Sequence, residues 1–193
     1  MEVLSSMFEY FEPVPVQNSI DHNFFQEFSP ITAVTHLGPI EFNVSPSPDL
    51  ALDLSTSTLY LEAAITKADG TAPLGTDDVG PVNLPLHSLF QSVELKIGNT
   101  LVSDQNGFYP YRAILETLLS YSKNSQETLL GQEMFAKDTA GKMTEFKSIA
   151  GVNAGLVQRG KEFKGGATVC LMGRLHLDLC FNRKQYQHVL LSH

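Results

Sequence analysis

The sequence contains no tryptophan, only two cysteines, and only 13 basic residues against 21 acidic ones. The resulting net charge of −8 argues against a nucleic-acid-binding module, because such modules carry a basic face for phosphate contacts. Two cysteines are too few for the disulfide framework of a small secreted domain. No apolar run approaches the ~20 residues that a membrane-spanning helix requires. The composition therefore indicates an ordinary globular protein.

The N-terminus and the two cysteines both bear on where the protein resides. The first residues, MEVLSSMFEYFEP, are acidic where a secretory signal has a basic segment followed by an apolar run. Cys170 and Cys180 fall on one predicted strand, where ten residues of extended chain place them roughly 33 Å apart, too far for a disulfide. We therefore expect two reduced thiols in a protein of the cytoplasm or nucleus that is not secreted.

The clearest local pattern is a hairpin in residues 93–104. Val93, Leu95 and Ile97 alternate with polar residues, which is typical of a half-buried strand. Gly98-Asn99 favours a two-residue turn, because both residues tolerate positive φ. This turn predicts three cross-strand pairs: Ile97 with Thr100, Leu95 with Val102, and Val93 with Asp104.

A helix is predicted directly after the hairpin. Pro110 suits its first position, where the missing N–H has no partner to lose. One apolar stripe follows at helical spacing and predicts core packing; its members are Tyr111, Ile114, Leu115, Leu118 and Leu119. Arg112 and Glu116 lie four residues apart and are expected to pair.

The remaining pattern is mostly that of strands and turns. Strands are predicted at 38–44, at 52–67 and, as the longest alternation in the chain, at 169–181; a second helix is predicted from an N-cap at Ser125 to Met134, and a helical turn at 153–159. With about six to eight strands and the helices gathered around 110–135, the sequence predicts a mainly β fold, an antiparallel β-sandwich of jelly-roll type. We expect an extended arm at 1–30 and a single domain at 31–193.

His176 and Asp178 form the sharpest candidate for catalysis. On one strand face they could supply two ligands of the facial triad that binds non-haem iron. The third ligand would have to come from His188 or His193. An alternating polar strand face explains the same residues without a metal, so this hypothesis ranks low.

The other potential ligands show no recognisable spacing. His22, His36 and His87 are scattered without the spacing of a zinc site. Asp69, Asp77 and Asp78 match no calcium-binding loop. We therefore expect no catalytic residues, no cofactor, no metal, no small-molecule substrate and no enzymatic activity.

Six segments in succession resemble a known family. They are PIEFNV (39–44), DLSTSTLYLEAAITKADG (53–70), LHSLFQSVELKIGNTLVS (86–103), YPYRAILETLLSY (109–121), KDTAGKM (137–143) and GRLHLDL (173–179). The series resembles the N-terminal jelly roll of the double-jelly-roll major capsid proteins of Polinton (Maverick) elements and adintovirus-like viruses. No single segment is specific, but their order is.

The resemblance implies a structural role in a virion. It implies a hexon-like protein that forms trimeric capsomers of an icosahedral shell and contacts other capsid proteins. Members of the family continue into a second jelly roll, whereas this chain ends at His193, so a fragment or a truncated, host-integrated copy is also implied. The alternative from a different class is a single jelly-roll binding module, such as a lectin-like adaptor.

Overall fold

The computed structural model describes residues 22–34, 38–45, 47, 50–103, 107–147, 149 and 151–181. The chain divides into two compact units, Met1–Asp49 and Leu50–His193. In the second unit the strands and helices are β1 (Thr58–Ala63), α1 (Pro85–Ser88), β2 (Leu95–Ile97), β3 (Thr100–Ser103), α2 (Tyr109–Ser120), α3 (Lys123–Thr128), α4 (Ala154–Glu162), β4 (Val169–Arg174) and α5 (Asp178–Phe181). Three 3₁₀ segments accompany them, at Leu54–Thr56, Leu129–Glu133 and Lys164–Gly166.

The predicted mainly β sandwich is wrong. Of the described residues, 30% lie in helices and 13% in strands, and the strands form two small antiparallel sheets of two strands each, β1–β4 and β2–β3. A jelly roll needs two packed sheets with about eight strands. Helices also extend well beyond the predicted insertion at 110–135, since α1, α4 and α5 lie outside it.

The predicted strand at 38–44 shows why alternation overestimated the strand content. Glu41 contacts the preceding segment only locally: its carbonyl accepts a hydrogen bond from the Ile31 N–H at 2.8 Å, and its N–H donates to the Thr32 hydroxyl at 3.0 Å. Extended chain becomes a strand only when a ladder partner satisfies its backbone groups. The predicted arm at 1–30 lies mostly outside the described residues.

The β1–β4 sheet carries the larger apolar core. Leu61 pairs with Leu171 at the centre of the ladder, and the alternation predicted for both strands holds here. The core residues and their partly buried neighbours are Leu86, Met134, Phe163, Leu171, Leu59, Leu61, Ala63, Ile65 and Val169.

β4 ends at Arg174, and the chain then turns into α5, so the predicted strand at 169–181 is confirmed only in its first half. Cys170 and Cys180 are both free, and they lie on different elements, β4 and α5.

The β2–β3 hairpin forms at the predicted turn but with a changed register. Ile97 pairs with Thr100 as predicted, and Gly98 has a positive φ of 59°. A bulge between Leu95 and Lys96 then pairs Leu95 with Ser103 instead of Val102. A bulge inserts one residue into a strand and re-aims the side chains beyond it. The third predicted pair involves Asp104, which lies outside the described residues.

Caps decide where the other helices begin. Ser122, not the predicted Ser125, caps α3 by accepting a hydrogen bond from the Ser125 N–H, and the helix passes into the 3₁₀ segment Leu129–Glu133. Asn153 caps α4, which confirms the helical turn predicted there. None of the helices that the structure describes has the length and apolarity that crossing a bilayer demands.

Candidate functional site

One side of α2 presents a continuous apolar surface to solvent. Its members lie on one helical face and are all exposed: Phe108 (66%), Tyr111 (66%), Leu115 (56%), Leu118 (49%) and Leu119 (84%). We call these five residues the α2 outer face. All except the N-cap residue Phe108 belong to the stripe predicted to pack in the core, so that prediction is wrong for four of the five stripe residues.

The buried side of α2 consists of smaller or more polar residues. Tyr109, Ala113 and Thr117 recur every four residues and are each 0% exposed. Ala113 and Thr117 are small, whereas Tyr109 is among the largest fully buried side chains and contacts His87 where α2 packs against α1. Of the predicted stripe, Ile114 is partly buried, against a core cluster of Leu84, Leu130 and Phe135. The helix therefore buries its less apolar face.

An ion-pair network lies beside the outer face. The Arg112 Nε donates to Glu116 at 2.6 Å, which confirms the predicted pair, and its NH2 group donates to Asp178 at 2.6 Å. The hydrogen bond from Arg112 lowers the pKa of Asp178 below its usual value. Arg112, Glu116 and Asp178 thus all have charged partners within the chain. The α2 outer face itself has no charged side chain.

The β2–β3 hairpin offers a second exposed surface. In the part of the chain that the structure describes, each strand of this hairpin pairs only with the other, so both outer edges lack a ladder partner. Leu101 and Val102 on β3 are 45% and 44% exposed. A two-stranded hairpin is marginal by itself, and an open edge can pair with another chain.

Beneath α2 lies a buried cluster of His87, Glu133 and His176. His87 belongs to α1, Glu133 ends the 3₁₀ segment Leu129–Glu133, and His176 follows β4. The three residues are 1%, 8% and 3% exposed. His87 Nε2 lies 3.6 Å from Glu133 Oε2, and the two imidazole rings meet edge to face with centroids 4.7 Å apart.

Each histidine of the cluster is held through its Nδ1. The Nδ1 of His176 lies 2.7 Å from Glu116 Oε2, and the Nδ1 of His87 lies 3.0 Å from the Tyr109 hydroxyl. Burial lowers the pKa of His176, and the hydrogen bond to Glu116 opposes this shift. Burial also raises the pKa of the Tyr109 hydroxyl. These effects favour a neutral His176 and a protonated phenol.

Three buried polar atoms among the described side chains have no hydrogen-bond partner, and two of them face each other in this cluster. They are His87 Nε2, Glu133 Oε2 and Thr117 Oγ1. The 3.6 Å gap between His87 and Glu133 is too long for a hydrogen bond. A buried polar group left unpaired costs about 1–3 kcal/mol.

Gly173 of β4 makes room for the carboxylate of the cluster. A Cβ on Gly173 would lie 2.6 Å from both Cγ and Oε1 of Glu133. Glu133 and Gly173 also line an open cleft of about 260 Å³. The side chain of Glu133 therefore spans from this cleft to the buried histidines.

The structure separates the residues of the predicted iron site. His176 is buried, but Asp178 is exposed and paired with Arg112, so the two side chains do not converge. The other predicted candidates, His188 and His193, lie outside the described residues, as does His36. His87 and Glu133 were not predicted as partners of His176, because no short spacing links the three residues.

Comparison with known proteins gives no match, whether to protein-family profiles, to curated proteins or to solved structures.

Proposed function

We propose that this chain is a structural protein that assembles with copies of itself, of the capsid type that its sequence resembles. The α2 outer face is the observation that carries the proposal. A contiguous exposed apolar surface of this kind marks a protein–protein contact. The ordered series of six sequence segments supports a capsid role for that contact.

A second copy of the chain is the partner that best fits the outer face. The face has five large apolar side chains and no charge, so its partner must be apolar as well. A copy of the same chain presents the same surface, and a two-fold contact pairs like with like. The open edges of the β2–β3 hairpin provide a further surface through which an associated pair could extend, up to the trimer that the resemblance implies.

The other functions considered from the sequence gain no support from the geometry. The lectin-like adaptor depended on a jelly-roll fold alone, which the described residues do not form, whereas the capsid proposal, which loses the same support, also rests on the exposed α2 outer face. The iron oxygenase depended on His176 and Asp178 sharing a face, and Asp178 instead binds Arg112. Neither is proposed further.

Sedimentation equilibrium over a range of protein concentrations tests self-association. We expect the wild-type chain to form an oligomer, and the double substitution Leu115→Glu with Leu119→Glu to shift it to the monomer. Glutamate is a good helix former, so α2 itself should persist, which circular dichroism would verify. Ile149→Glu is the control, because Ile149 is fully exposed and lies outside α2.

Two results would contradict the proposal. One is a wild-type chain that stays monomeric at the highest concentration reached. The other is an oligomer that the double substitution leaves intact. Electron microscopy of the oligomer then separates a capsid role, with closed shells or regular sheets, from a simple dimer.

A further inference from the structure

The buried cluster of His87, Glu133 and His176 has the composition of a metal site. One ligand atom from each residue lies within 4.8 Å of the others. Two imidazoles and one carboxylate are a donor set that binds zinc and other divalent transition metals. Calcium and magnesium prefer sets made of oxygen alone.

The distances are those of a site that is nearly closed. In tetrahedral zinc sites the metal–ligand distances of 2.0–2.2 Å place neighbouring ligand atoms about 3.4 Å apart. His87 Nε2 and Glu133 Oε2 are already 3.6 Å apart. The widest pair, within 4.8 Å, needs to close by up to about 1.4 Å.

The unpaired atoms are a second and independent sign of a ligand. His87 Nε2 and Glu133 Oε2 are buried, face each other and have no hydrogen-bond partner. When the Nδ1–H of His87 donates to the Tyr109 hydroxyl, the Nε2 lone pair and the carboxylate of Glu133 face each other, and a cation between them satisfies both. Glu133 also contributes the negative charge that a buried divalent ion requires.

The outer contacts of both histidines match those of metal ligands. A histidine that binds a metal nearly always donates its other ring N–H to a carboxylate or another acceptor, which fixes the tautomer and orients the ring. His176 has such a contact with Glu116 at 2.7 Å, and His87 has one with the Tyr109 hydroxyl at 3.0 Å. His87 is thereby left with its Nε2, which has no hydrogen-bond partner, for an ion, and His176 offers the third ligand atom of the cluster.

We propose that His87, Glu133 and His176 together bind a divalent transition-metal ion, for which zinc has the best-matched chemistry. The ion would link α1, the end of the 3₁₀ segment Leu129–Glu133 and the segment after β4. Because all three ligands are buried in the interior beneath α2, its role is structural: it holds in place the surface from which the outer face projects. Of the three ligands, Glu133 also lines the open cleft.

Isothermal titration of zinc chloride into chelator-treated protein tests this site. We expect about one zinc ion per chain and a rise in the unfolding temperature with zinc concentration. Glu133→Gln and His87→Gln keep the size of each side chain close to that of the original and should abolish both effects. Glu116→Gln changes the outer contact of His176 as well as the pair with Arg112, and it should weaken binding by about 10- to 100-fold without abolishing it. His22→Gln is the control, since His22 is exposed.

Cobalt(II) provides a readout that does not depend on the variants. Bound to wild-type protein in place of zinc, it should show the strong visible absorption of four-coordinate cobalt. The proposal fails if the wild-type chain binds no zinc and shows no cobalt absorption. It also fails if Glu133→Gln and His87→Gln remain folded and bind zinc as tightly as the wild type, because exposed histidines then account for the binding.

Discussion

Leu119 and Thr117 lie two residues apart on α2 in opposite environments: Leu119 is 84% exposed and Thr117 is 0% exposed. Transfer of a leucine side chain from water to an apolar contact is worth about 1.5–3 kcal/mol, whereas a buried hydroxyl without a partner is unfavourable. The arrangement leaves a large apolar side chain in water and an unpartnered hydroxyl in the interior, and neither feature stabilises the isolated chain. The orientation of α2 is therefore best explained by a partner that covers Leu119.

Thr117→Val should stabilise the fold. The substitution replaces a buried hydroxyl that has no partner with a methyl group of the same shape. We expect the free energy of unfolding in urea to rise by about 1 kcal/mol. Thr117→Ser, which keeps the hydroxyl and removes the methyl group, should lower it. A drop in stability for Thr117→Val would show that the hydroxyl has a partner in solution, such as a buried water.

Gly173→Ala should destabilise the protein. Alanine lowers the conformational entropy of the unfolded chain, which by itself favours folding, but close packing around Gly173 should outweigh that gain. The added Cβ would lie 2.6 Å from the Cγ of Glu133, so the buried glutamate must move. Overpacking of this kind costs about 1–3 kcal/mol, measurable by urea unfolding. Gly131→Ala is the matched control, because a Cβ there meets nothing within 4 Å and should leave stability unchanged or slightly raised. Equal effects at both glycines would refute the close packing of Glu133.

Asn153→Ala should be among the most damaging single substitutions. The Asn153 amide donates to Asp138 at 2.8 Å and to the Met143 carbonyl at 3.0 Å, and its oxygen caps α4. Loss of the cap together with buried donors and acceptors left unpaired should cost about 3 kcal/mol.

Asn153→Asp separates the cap from the donor. It keeps an oxygen for the cap but replaces the amide donor with a second carboxylate beside Asp138. We expect Asn153→Asp to be destabilising as well, despite being a good N-cap. A stability equal to that of the wild type would mean that the cap alone accounts for the role of Asn153.

Asp77 should contribute to stability in a way that depends on pH. Its carboxylate accepts a hydrogen bond from the Leu74 N–H at 2.8 Å and lies 3.4 Å from Lys67 Nζ, and these contacts, the Leu74 hydrogen bond first, lower its pKa. A lowered pKa means that the contribution is present above the unfolded value of about 3.9 and is lost as the pH falls through the folded value. In the Asp77→Asn variant, the free energy of unfolding should therefore fall less than in the wild type as the pH is lowered below about 4. An unchanged acid limb in the stability curve would contradict this.

Local patterns in the sequence predicted much of the secondary structure. The Gly98-Asn99 turn, the alternation of β1 and the helical turn that begins at Asn153 all depend on a few neighbouring residues, so the sequence alone indicates them. The faces that become buried depend on partners elsewhere in the chain. The hydrophobic stripe of α2 predicted a buried face, but the opposite face is buried instead, and its Tyr109 contacts His87 of α1.

The buried cluster of His87, Glu133 and His176 could not be predicted from the sequence, because it too depends on contacts between distant parts of the chain. His87, Glu133 and His176 come from segments far apart in the chain, and each looks isolated when read in order. His176 was singled out through its neighbour Asp178, which turned out to bind Arg112. Only the packing of α1 and the 3₁₀ segment Leu129–Glu133 against β4 brings the three side chains together.

The central claim is that copies of this chain meet through the α2 outer face, and the distance between spin labels in the associated protein tests it most directly. The label is placed at Leu119→Cys and, as a control, at Ile149→Cys, in a Cys170→Ser background because Cys170 is exposed. The account predicts a short, well-defined distance between copies at position 119 and a longer or broader one at position 149. No dipolar coupling between copies at position 119, in protein that sedimentation shows to be associated, would contradict it.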